Sequence, residues 1–361
     1  MYLIASLYFQ SEVTRSHISS SHKGDMVFLK EGLCPALTGE FIEALSTKGI
    51  TTVEDLVSAD TEELAQKCSV SYKALLAVRR VLLAQHSAFP VSGADLYEEL
   101  LSSTAILSTG NASLNKLLDS GLYTGELTEL VGAPASGKSQ VCFGVSANIS
   151  CELKQSVLYI DSTGGFSAQR LLKMVQAKTN NIEDQLEALK RIQVTQVFDV
   201  FSLLECLHNL RGTGLQQVVA RGSSLKAIIV DSVSAILALV LGGKQTEGMS
   251  LMMQIAGELR AIAKDLNVAV LVTNHITRDS SGMLKAGLGQ SWSYVPRTRI
   301  LLKRVERPGS MYGSLRAATL IKSSRQPCHL TEEFDLTSWA QPQDVLSRSQ
   351  GKRKLPTDKP H

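Results

Sequence analysis

Residues 132–139 read Gly-Ala-Pro-Ala-Ser-Gly-Lys-Ser and fit the pattern G-x-x-x-x-G-K-[ST] without a mismatch. A loop of this kind turns its backbone N–H groups around a phosphate at the N-terminus of a helix, whose dipole favours negative charge. In the same pattern the lysine reaches the β- and γ-phosphates of a nucleotide, and the last hydroxyl binds Mg²⁺. A strand-like run precedes the motif and a helical pattern follows it, so we predict ATP and Mg²⁺ as cofactors. The predicted nucleotide-binding residues are Gly132, Ala133, Pro134, Ala135, Ser136, Gly137, Lys138 and Ser139.

A metal ion on the phosphates needs a second oxygen ligand, and Asp231 is the candidate. It ends the apolar run 226–231, and a carboxylate at the tip of a buried strand can hold Mg²⁺ directly or through water. An aspartate in such a position is, on its own, more often a turn former or a helix cap. Because the phosphate-binding motif lies upstream, we favour the metal interpretation and predict Ser139 and Asp231 as ligands.

Hydrolysis also requires a group that orients or deprotonates the attacking water, and the sequence leaves that group open. The run 159–166 reads Tyr-Ile-Asp-Ser-Thr-Gly-Gly-Phe and contains Asp161 as its one carboxylate. Thr163 cannot act as a base at neutral pH. No catalytic residue is therefore predicted.

Short runs of β-branched residues alternate with helical patterns from about residue 104 onward. This alternation predicts an α/β fold with a mostly parallel sheet and helices on both faces. Two later runs, 297–305 and 316–323, flank a turn rich in glycine, proline and serine and predict an antiparallel hairpin at one end of the sheet. The predicted strands are 126–131, 157–161, 192–197, 226–231 and 268–273, and the predicted helices are 139–152, 168–178, 200–211 and 248–266.

The N-terminal part has a different, helical pattern. Thr38 is a predicted N-cap for a helix over 40–48, a second helix begins near Thr52, and a third covers 71–85. In that third helix Leu75, Val78 and Leu82 lie on one face. The predicted domains are an extension (1–25, disordered), a helical domain (26–85), a linker (86–103), an ATPase domain (104–340) and a disordered basic tail (341–361).

Composition excludes several classes of protein. The chain has 361 residues, 44% hydrophobic and 20% charged, with a net charge of +3, which excludes global disorder and favours about two domains. Six cysteines without a C-x-x-C pair argue against a zinc site and a disulfide framework, as expected of an intracellular protein. No apolar stretch is long enough to span a bilayer, so no membrane association is predicted.

Several local segments resemble the RecA-family strand-exchange ATPases, particularly the eukaryotic recombinase and its paralogues. The resemblance extends from Gly32 to Trp339 and implies a RecA-like P-loop ATPase core behind a helix-hairpin-helix-like N-terminal domain. It also implies that Arg170 lies near the nucleotide base. The segments are GLCPALT (32–38), LVSAD (56–60), YKALLAVRRVLLAQ (72–85), GADLYEEL (93–100), TNHITRD (273–279) and KSSRQP (322–327).

Four positions depart from the pattern that the resemblance implies. Thr163 stands where active recombinases carry a catalytic glutamate, and His275 replaces a hydrogen-bonding glutamine. Tyr294 occupies the position at which the family has a histidine that responds to nucleotide, in its second DNA-binding loop. The self-assembly motif Phe-x-x-Ala reads Val-Ser-Gly-Ala at 91–94, and losing an aromatic anchor removes much of an interface's energy. These departures predict weak or partner-dependent hydrolysis and no filament formation by the chain alone.

The run 277–299 combines glycines, basic residues and the aromatic residues Trp292 and Tyr294. Basic and aromatic side chains together suit single-stranded DNA, which offers phosphates and exposed base faces. The alternative is that the charges are solvated, the aromatic residues are core, and Arg299 begins a strand. The predicted DNA-binding residues are Arg278, Lys285, Arg297 and Arg299.

The sequence therefore predicts an ATP-, Mg²⁺- and single-stranded-DNA-binding recombinase paralogue. It would support homologous-recombination repair in the nucleus, as a subunit of a hetero-oligomer of other recombinase paralogues that assists the catalytic recombinase filament. One alternative is a non-catalytic nucleotide-binding adaptor that scaffolds the complex. Another is a hexameric RecA-type helicase, against which the hairpin-ended sheet and the N-terminal helical module argue.

Overall fold

The computed structural model describes residues 28–86, 90–211, 223–242, 245–278, 284–305 and 313–341. The chain divides into two compact units, Met1–Glu98 and Glu99–His361. The predicted N-terminal extension and, apart from Gln341, the predicted basic tail lie outside the described residues. None of the described helices combines the length and the apolar character that crossing a membrane requires.

The first unit is helical, as predicted. Thr38 and Thr52 cap its first two helices, and Thr52 forms a reciprocal capping box with Asp55. Leu75 and Val78 of the last helix are buried, which confirms the predicted apolar face. The helices are α1 (Gly39–Ser46), α2 (Val53–Ser58), α3 (Thr61–Cys68) and α4 (Tyr72–His86), and α3 was not predicted.

The turn after α3 contains a serine in a conformation that glycine usually adopts. Ser69 adopts the left-handed conformation with φ 54°, and its N–H donates to the Ala65 carbonyl to end the helix. Farther along, within the predicted linker, Gly93–Ser103 form a helix, α5.

The second unit is built on an eight-stranded sheet with the order β12-β11-β10-β3-β7-β6-β4-β5. The pairs from β10 to β5 are parallel, and the pairs of β11 with β10 and β12 are antiparallel. Two short antiparallel pairs, β1–β2 and β8–β9, lie outside this sheet. The strands are β1 (Ile106–Leu107), β2 (Leu122–Tyr123), β3 (Leu127–Gly132), β4 (Ser156–Asp161), β5 (Ile192–Gln196), β6 (Leu225–Asp231), β7 (Ala269–Asn274), β8 (Ile276–Arg278), β9 (Leu284–Ala286), β10 (Thr298–Arg304), β11 (Leu315–Lys322) and β12 (Thr331–Asp335).

Two apolar clusters form on the two faces of the sheet. Side chains alternate along a strand, so Val157 and Tyr159 of β4 belong to one cluster, and Leu158 and Ile160 belong to the other. Both faces are therefore buried, as the mostly parallel sheet predicts. The helices of this unit are α6 (Ala112–Leu117), α7 (Lys138–Cys151), α8 (Ala168–Gln176), α9 (Ile182–Lys190), α10 (Val200–Arg211), α11 (Val233–Leu241), α12 (Gln245–Asp265) and α13 (Gly289–Ser293), followed by a 3₁₀ turn (Leu336–Ala340).

The five predicted parallel strands and the hairpin are confirmed. Of the elements in this unit that were not predicted, three were missed for identifiable reasons. Helix α9 buries only Ala188 and leaves Ile182 exposed, so its apolar pattern is weak. Helix α11 is apolar nearly throughout and has no clear period. Strand β12 is a polar edge strand in which Phe334 is the one buried residue.

The topology brings four loops to one edge of the sheet. Strands β3, β4, β6 and β7 are parallel, so their carboxyl ends lie side by side. Ligands of open α/β sheets bind at that edge. The phosphate-binding motif, the run after Asp161, Asp231 and His275 all lie there, so this edge is the candidate functional site.

Candidate nucleotide-binding site

The phosphate-binding loop (residues 132–139) joins β3 to α7 and depends on two left-handed residues. Ala135 has φ 60° and Gly137 has φ 101°. A Cβ on Gly132 would lie 2.7 Å from the Leu302 carbonyl oxygen and would overlap the Ser136 hydroxyl, so only glycine fits there. Gly137 caps α7 without a side-chain hydrogen bond, which leaves the first N–H groups of that helix for an anion.

Lys138 lies against the loop that it follows. Its Nζ donates to the Gly132 carbonyl at 2.8 Å and to the Ala133 carbonyl at 3.0 Å, and the residue is only 8% exposed. Burial lowers the pKa of Lys138, and the negative charge of Asp231 opposes that shift. The predicted lysine and the predicted metal ligand are therefore electrostatic neighbours.

Asp231 is held in place by the two strands that flank β6. Its Oδ2 accepts from the Tyr159 hydroxyl at 2.7 Å, and its Oδ1 accepts from the Thr273 hydroxyl at 2.5 Å. Burial foremost, with a contribution from the charge of Asp231, raises the pKa of Tyr159, so this phenol keeps its proton and remains a donor. The carboxylate is thus oriented while retaining lone pairs for a further partner.

The residues present fit Mg²⁺ bound to nucleotide phosphates. A hydroxyl from Ser139 and a carboxylate from Asp231 are the hard oxygen donors that Mg²⁺ prefers. Among the described residues no group of three or more His, Cys, Asp or Glu side chains is arranged to hold a metal. Mg²⁺ on a nucleotide is commonly held by one or two protein oxygens together with phosphates and water.

Asp161, the carboxylate whose role the sequence left open, shapes the turn that follows β4. It is 1% exposed. Its Oδ1 accepts from the backbone N–H groups of Thr163 and Gly165 at 3.0 and 3.3 Å, and its Oδ2 accepts from that of Phe166 at 3.0 Å. The Thr163 hydroxyl also donates to it, at 3.2 Å. A carboxylate engaged in this way is a structural group, so Asp161 offers no base for an attacking water.

Two further predicted residues lie at this edge of the sheet. Arg170, exposed on the first turn of α8, donates from Nε to Gln140 Oε1 at 2.7 Å and so lies beside the first turn of α7. His275, directly after β7, has its pKa lowered by burial and by the positive charge of Lys138. Its imidazole is therefore neutral at pH 7. Whether Arg170 contacts a nucleotide base stays a prediction.

The structure corrects part of the predicted DNA-contact set. Arg299 is 7% exposed and forms a buried ion pair with Glu129, so its guanidinium is unavailable to DNA. Trp292 is fully buried and donates to Glu129 Oε1 at 2.8 Å, so it belongs to the core. The alternative interpretation of this run is confirmed for Trp292, which is core, and for Arg299, which lies at the start of β10. It is wrong for Tyr294, which is 71% exposed, and for the charge of Arg299, which is buried and not solvated. The physical reason is the buried carboxylate on β3, which needs positive partners.

The remaining basic candidates have different surroundings. Lys285 is exposed in β9. Arg297 is 59% exposed, with its Nε 3.0 Å from Ser324 Oγ and 3.3 Å from a Glu126 carboxylate oxygen. The side chain of Arg278 lies outside the described residues.

Glu129 connects the run 277–299 with the edge of the sheet that carries the candidate nucleotide site, through hydrogen bonds to both. The sequence did not predict this role. Besides Trp292 and Arg299, Glu129 accepts from Asn274 Nδ2 at 2.8 Å, and Asn274 also donates to the Gly287 carbonyl at 3.1 Å. Asn274 directly follows the threonine that holds Asp231. The available signal was an acidic residue inside the apolar strand run 127–132, where an isolated charge is costly.

A mostly parallel sheet with a phosphate-binding loop after one strand and an aspartate at the end of another defines a RecA-like P-loop domain. Comparison with known proteins specifies the class. A model of the RAD51D N-terminal domain matches residues 26–85, and a model of the Rad51 family matches residues 101–293. This chain belongs to the Rad51 family.

Individual relatives agree with this assignment and confirm the resemblance noted in the sequence. The chain is 58% identical to DNA repair protein RAD51 homolog 4 of Bos taurus over 88% of its length and 97% of that protein's. It is 57% identical to the Mus musculus protein of the same name over 86% of its own length and 95% of that protein's length. The archaeal DNA repair and recombination protein RadA of Aeropyrum pernix is 23% identical to this chain. The match covers 85% of this chain and 93% of that protein.

Proposed function

We propose that this chain is an ATP- and Mg²⁺-binding subunit that supports DNA repair by homologous recombination in the nucleus. The observation that carries the proposal is the phosphate-binding loop with Lys138 beside an oriented, buried Asp231. The relatives' description as DNA repair proteins supports the cellular role. We also propose the domains predicted from the sequence, which are a helical domain (26–85), a linker (86–103) that contains α5, and an ATPase domain (104–340).

Each part of the loop has a role in this proposal. The N–H groups of the loop and of the first turn of α7 bind the phosphates, and Lys138 moves from the loop carbonyls to the β- and γ-phosphates. Ser139 and Asp231 would hold Mg²⁺, and the bound ion would supply positive charge to the phosphate oxygens. Arg170 lies near the nucleotide base.

Hydrolysis is proposed to be weak or dependent on a partner. Asp161 is engaged by the turn, Thr163 cannot act as a base, and no other carboxylate follows within the run 161–166. These facts also favour a second candidate function, a non-catalytic adaptor whose bound nucleotide stabilises a complex. Nucleotide binding is common to both candidates, whereas turnover distinguishes them.

Replacing Lys138 by alanine is expected to lower ATP affinity by about 10–100-fold, because a charge-assisted hydrogen bond to phosphate is removed. Equilibrium titration with a fluorescent ATP analogue in the presence of Mg²⁺ measures the change. Steady-state hydrolysis by the two proteins, with and without single-stranded DNA, separates the candidates. Turnover above that of Lys138→Ala supports the ATPase, and binding without such turnover supports the adaptor. Equal ATP affinity in both proteins would contradict the proposed site.

For DNA, we propose that exposed basic residues of the run 277–299 contact the phosphates of a single strand. Lys285 and Arg297 carry this proposal, and Arg278 belongs to the same run. Arg299 is excluded because it is buried with Glu129.

The double replacement Lys285→Ala and Arg297→Ala is expected to lower the affinity for single-stranded DNA. It is also expected to make that affinity depend less on salt concentration. The slope of log affinity against log salt should fall by about 0.7 for each phosphate that the variant no longer neutralises. Fluorescence anisotropy of a labelled oligonucleotide at several salt concentrations measures both. Lys154→Ala is a control for the removal of an exposed charge away from this loop. An unchanged slope in the double variant would exclude these side chains as phosphate ligands.

The partners proposed are other recombinase paralogues in a hetero-oligomer, together with the catalytic recombinase filament. Relatives in this family include RAD51 homolog 2 as well as RAD51 homolog 4, so the family contains more than one type of paralogue. Self-assembly is not proposed, because the segment 91–94 has valine where the family motif has an aromatic anchor.

A further inference from the structure

Arg316 of β11 contacts the phosphate-binding loop from the antiparallel side of the sheet. The residue is 7% exposed, and its guanidinium donates to backbone carbonyls. Its Nε donates to the Ser136 carbonyl at 3.0 Å and its Nη2 to the Ala135 carbonyl at 3.3 Å. Its Nη1 donates to the carbonyls of Gly313 and Leu315, at 2.5 and 2.9 Å. The planar guanidinium thus joins the loop to β11 and to the turn before it.

These hydrogen bonds fix the direction of two peptide groups. Across a trans peptide plane, the C=O of one residue and the N–H of the next point in opposite directions. Holding the Ala135 carbonyl therefore sets the direction of the Ser136 N–H, which donates to the Ala133 carbonyl at 3.1 Å. Holding the Ser136 carbonyl turns the Gly137 N–H, at the start of α7, to the side of the loop opposite Arg316.

The same two peptide groups lie in the strained part of the loop. Ala135 has a left-handed backbone, with φ 60°, although it carries a Cβ that disfavours this conformation. Strained residues persist when the surrounding structure over-determines them. Arg316 provides such support, and Leu336 adds to it, since a Cβ on Gly137 would lie 3.0 Å from its side chain.

We propose that Arg316 is a positioning residue for nucleotide binding: it holds the Ala135 and Ser136 carbonyls so that the loop keeps its left-handed conformation at Ala135 and presents the Gly137 N–H to phosphate. This inference rests on the proposed function, because it concerns the same nucleotide site. The planar guanidinium is essential to this role, because the single ammonium group of a lysine cannot hold two carbonyls of the loop and the carbonyls of the turn at the same time.

The test measures the affinity of the full chain for N-methylanthraniloyl-ADP with Mg²⁺. Arg316→Met and Arg316→Lys are both expected to bind about 10-fold more weakly than the wild-type chain, because the loop must be ordered when phosphate binds. Lys322→Met is the matched control. Lys322 lies at the other end of β11 and donates to one backbone carbonyl, that of Ser293 at 2.8 Å, so this variant should bind as the wild type does.

A rescue separates positioning of the loop from general damage to the fold. Glycine adopts the left-handed conformation without strain, so adding Ala135→Gly to Arg316→Met should recover part of the affinity. A purely structural role of Arg316 would not respond to that change. Should Arg316→Met fail to fold, Arg316→Lys with and without Ala135→Gly gives the same comparison.

The outcomes distinguish this inference from the proposed function. If the wild-type chain binds no more tightly than Lys138→Ala, the nucleotide site itself is wrong. If the wild-type chain binds and Lys138→Ala does not, the inference is overturned by wild-type affinity in either Arg316 variant or by the absence of rescue.

Discussion

Glu129→Ala is expected to lower the free energy of unfolding of the second unit by about 3–5 kcal/mol, because it leaves a buried arginine without its counter-charge. Glu129 is fully buried and accepts hydrogen bonds from Asn274, Trp292 and Arg299. In the alanine variant none of these three donors keeps its carboxylate partner. Urea unfolding followed by tryptophan fluorescence measures the change, since both tryptophans lie in this unit.

Two comparisons make this result specific to the buried ion pair. Glu332 forms an exposed ion pair with Lys116, so Glu332→Ala should change stability by only about 0–1 kcal/mol. Combining Glu129→Ala with Arg299→Met should cost less than the sum of the two single variants, because no unpaired charge remains in the core. A loss of stability from Glu129→Ala no larger than that from Glu332→Ala would show that the pair is not buried as described.

Gly144→Ala, in the middle of α7, is expected to destabilise the second unit by about 1–3 kcal/mol through overpacking. A Cβ at Gly144 would overlap the indole ring of Trp339. That ring is 2% exposed and is anchored by a hydrogen bond from its Nε1 to the Thr109 carbonyl at 2.9 Å. Helix α7 begins at the phosphate-binding loop, so a displaced Trp339 should also weaken nucleotide binding.

A second helical glycine provides the matched control. Gly257 lies within α12, and nothing lies within 4 Å of a Cβ placed there. Gly257→Ala should therefore raise the free energy of unfolding by about 0.4–1 kcal/mol, through the higher helix propensity of alanine. Urea unfolding followed by tryptophan fluorescence measures the effect of both substitutions. If Gly144→Ala stabilises the protein as Gly257→Ala does, the close packing of α7 against Trp339 is wrong.

Local patterns were sufficient for the elements that surround the nucleotide site. The phosphate-binding loop, the strand that ends at Asp231 and the antiparallel hairpin were predicted because each depends on contiguous residues. Buried parallel strands contain dense β-branched runs, which are readable without knowledge of the partner strand. Helix α9 and strand β12 were missed because little of either is buried.

Contacts that the local sequence does not show determined whether individual polar residues are buried and engaged or accessible. Arg299 resembled a DNA-binding residue in sequence, but Glu129, 170 residues away, draws it into the core. Asp161 could have been a general base, yet the backbone of its own turn occupies both carboxylate oxygens.

The sequence by itself determined that the chain has a P-loop α/β core, which strand ends at the candidate metal-binding aspartate, and which family it resembles. Local periodicity and an eight-residue motif contain that information, because backbone conformation and phosphate chemistry impose fixed spacings. Only the tertiary structure decided which charged side chains are accessible to a ligand and which are buried. Burial of a charged group depends on whether an opposite charge or enough hydrogen-bond partners reach it. Arg316, held by carbonyls of the loop 180 residues earlier, has no signal in its local sequence.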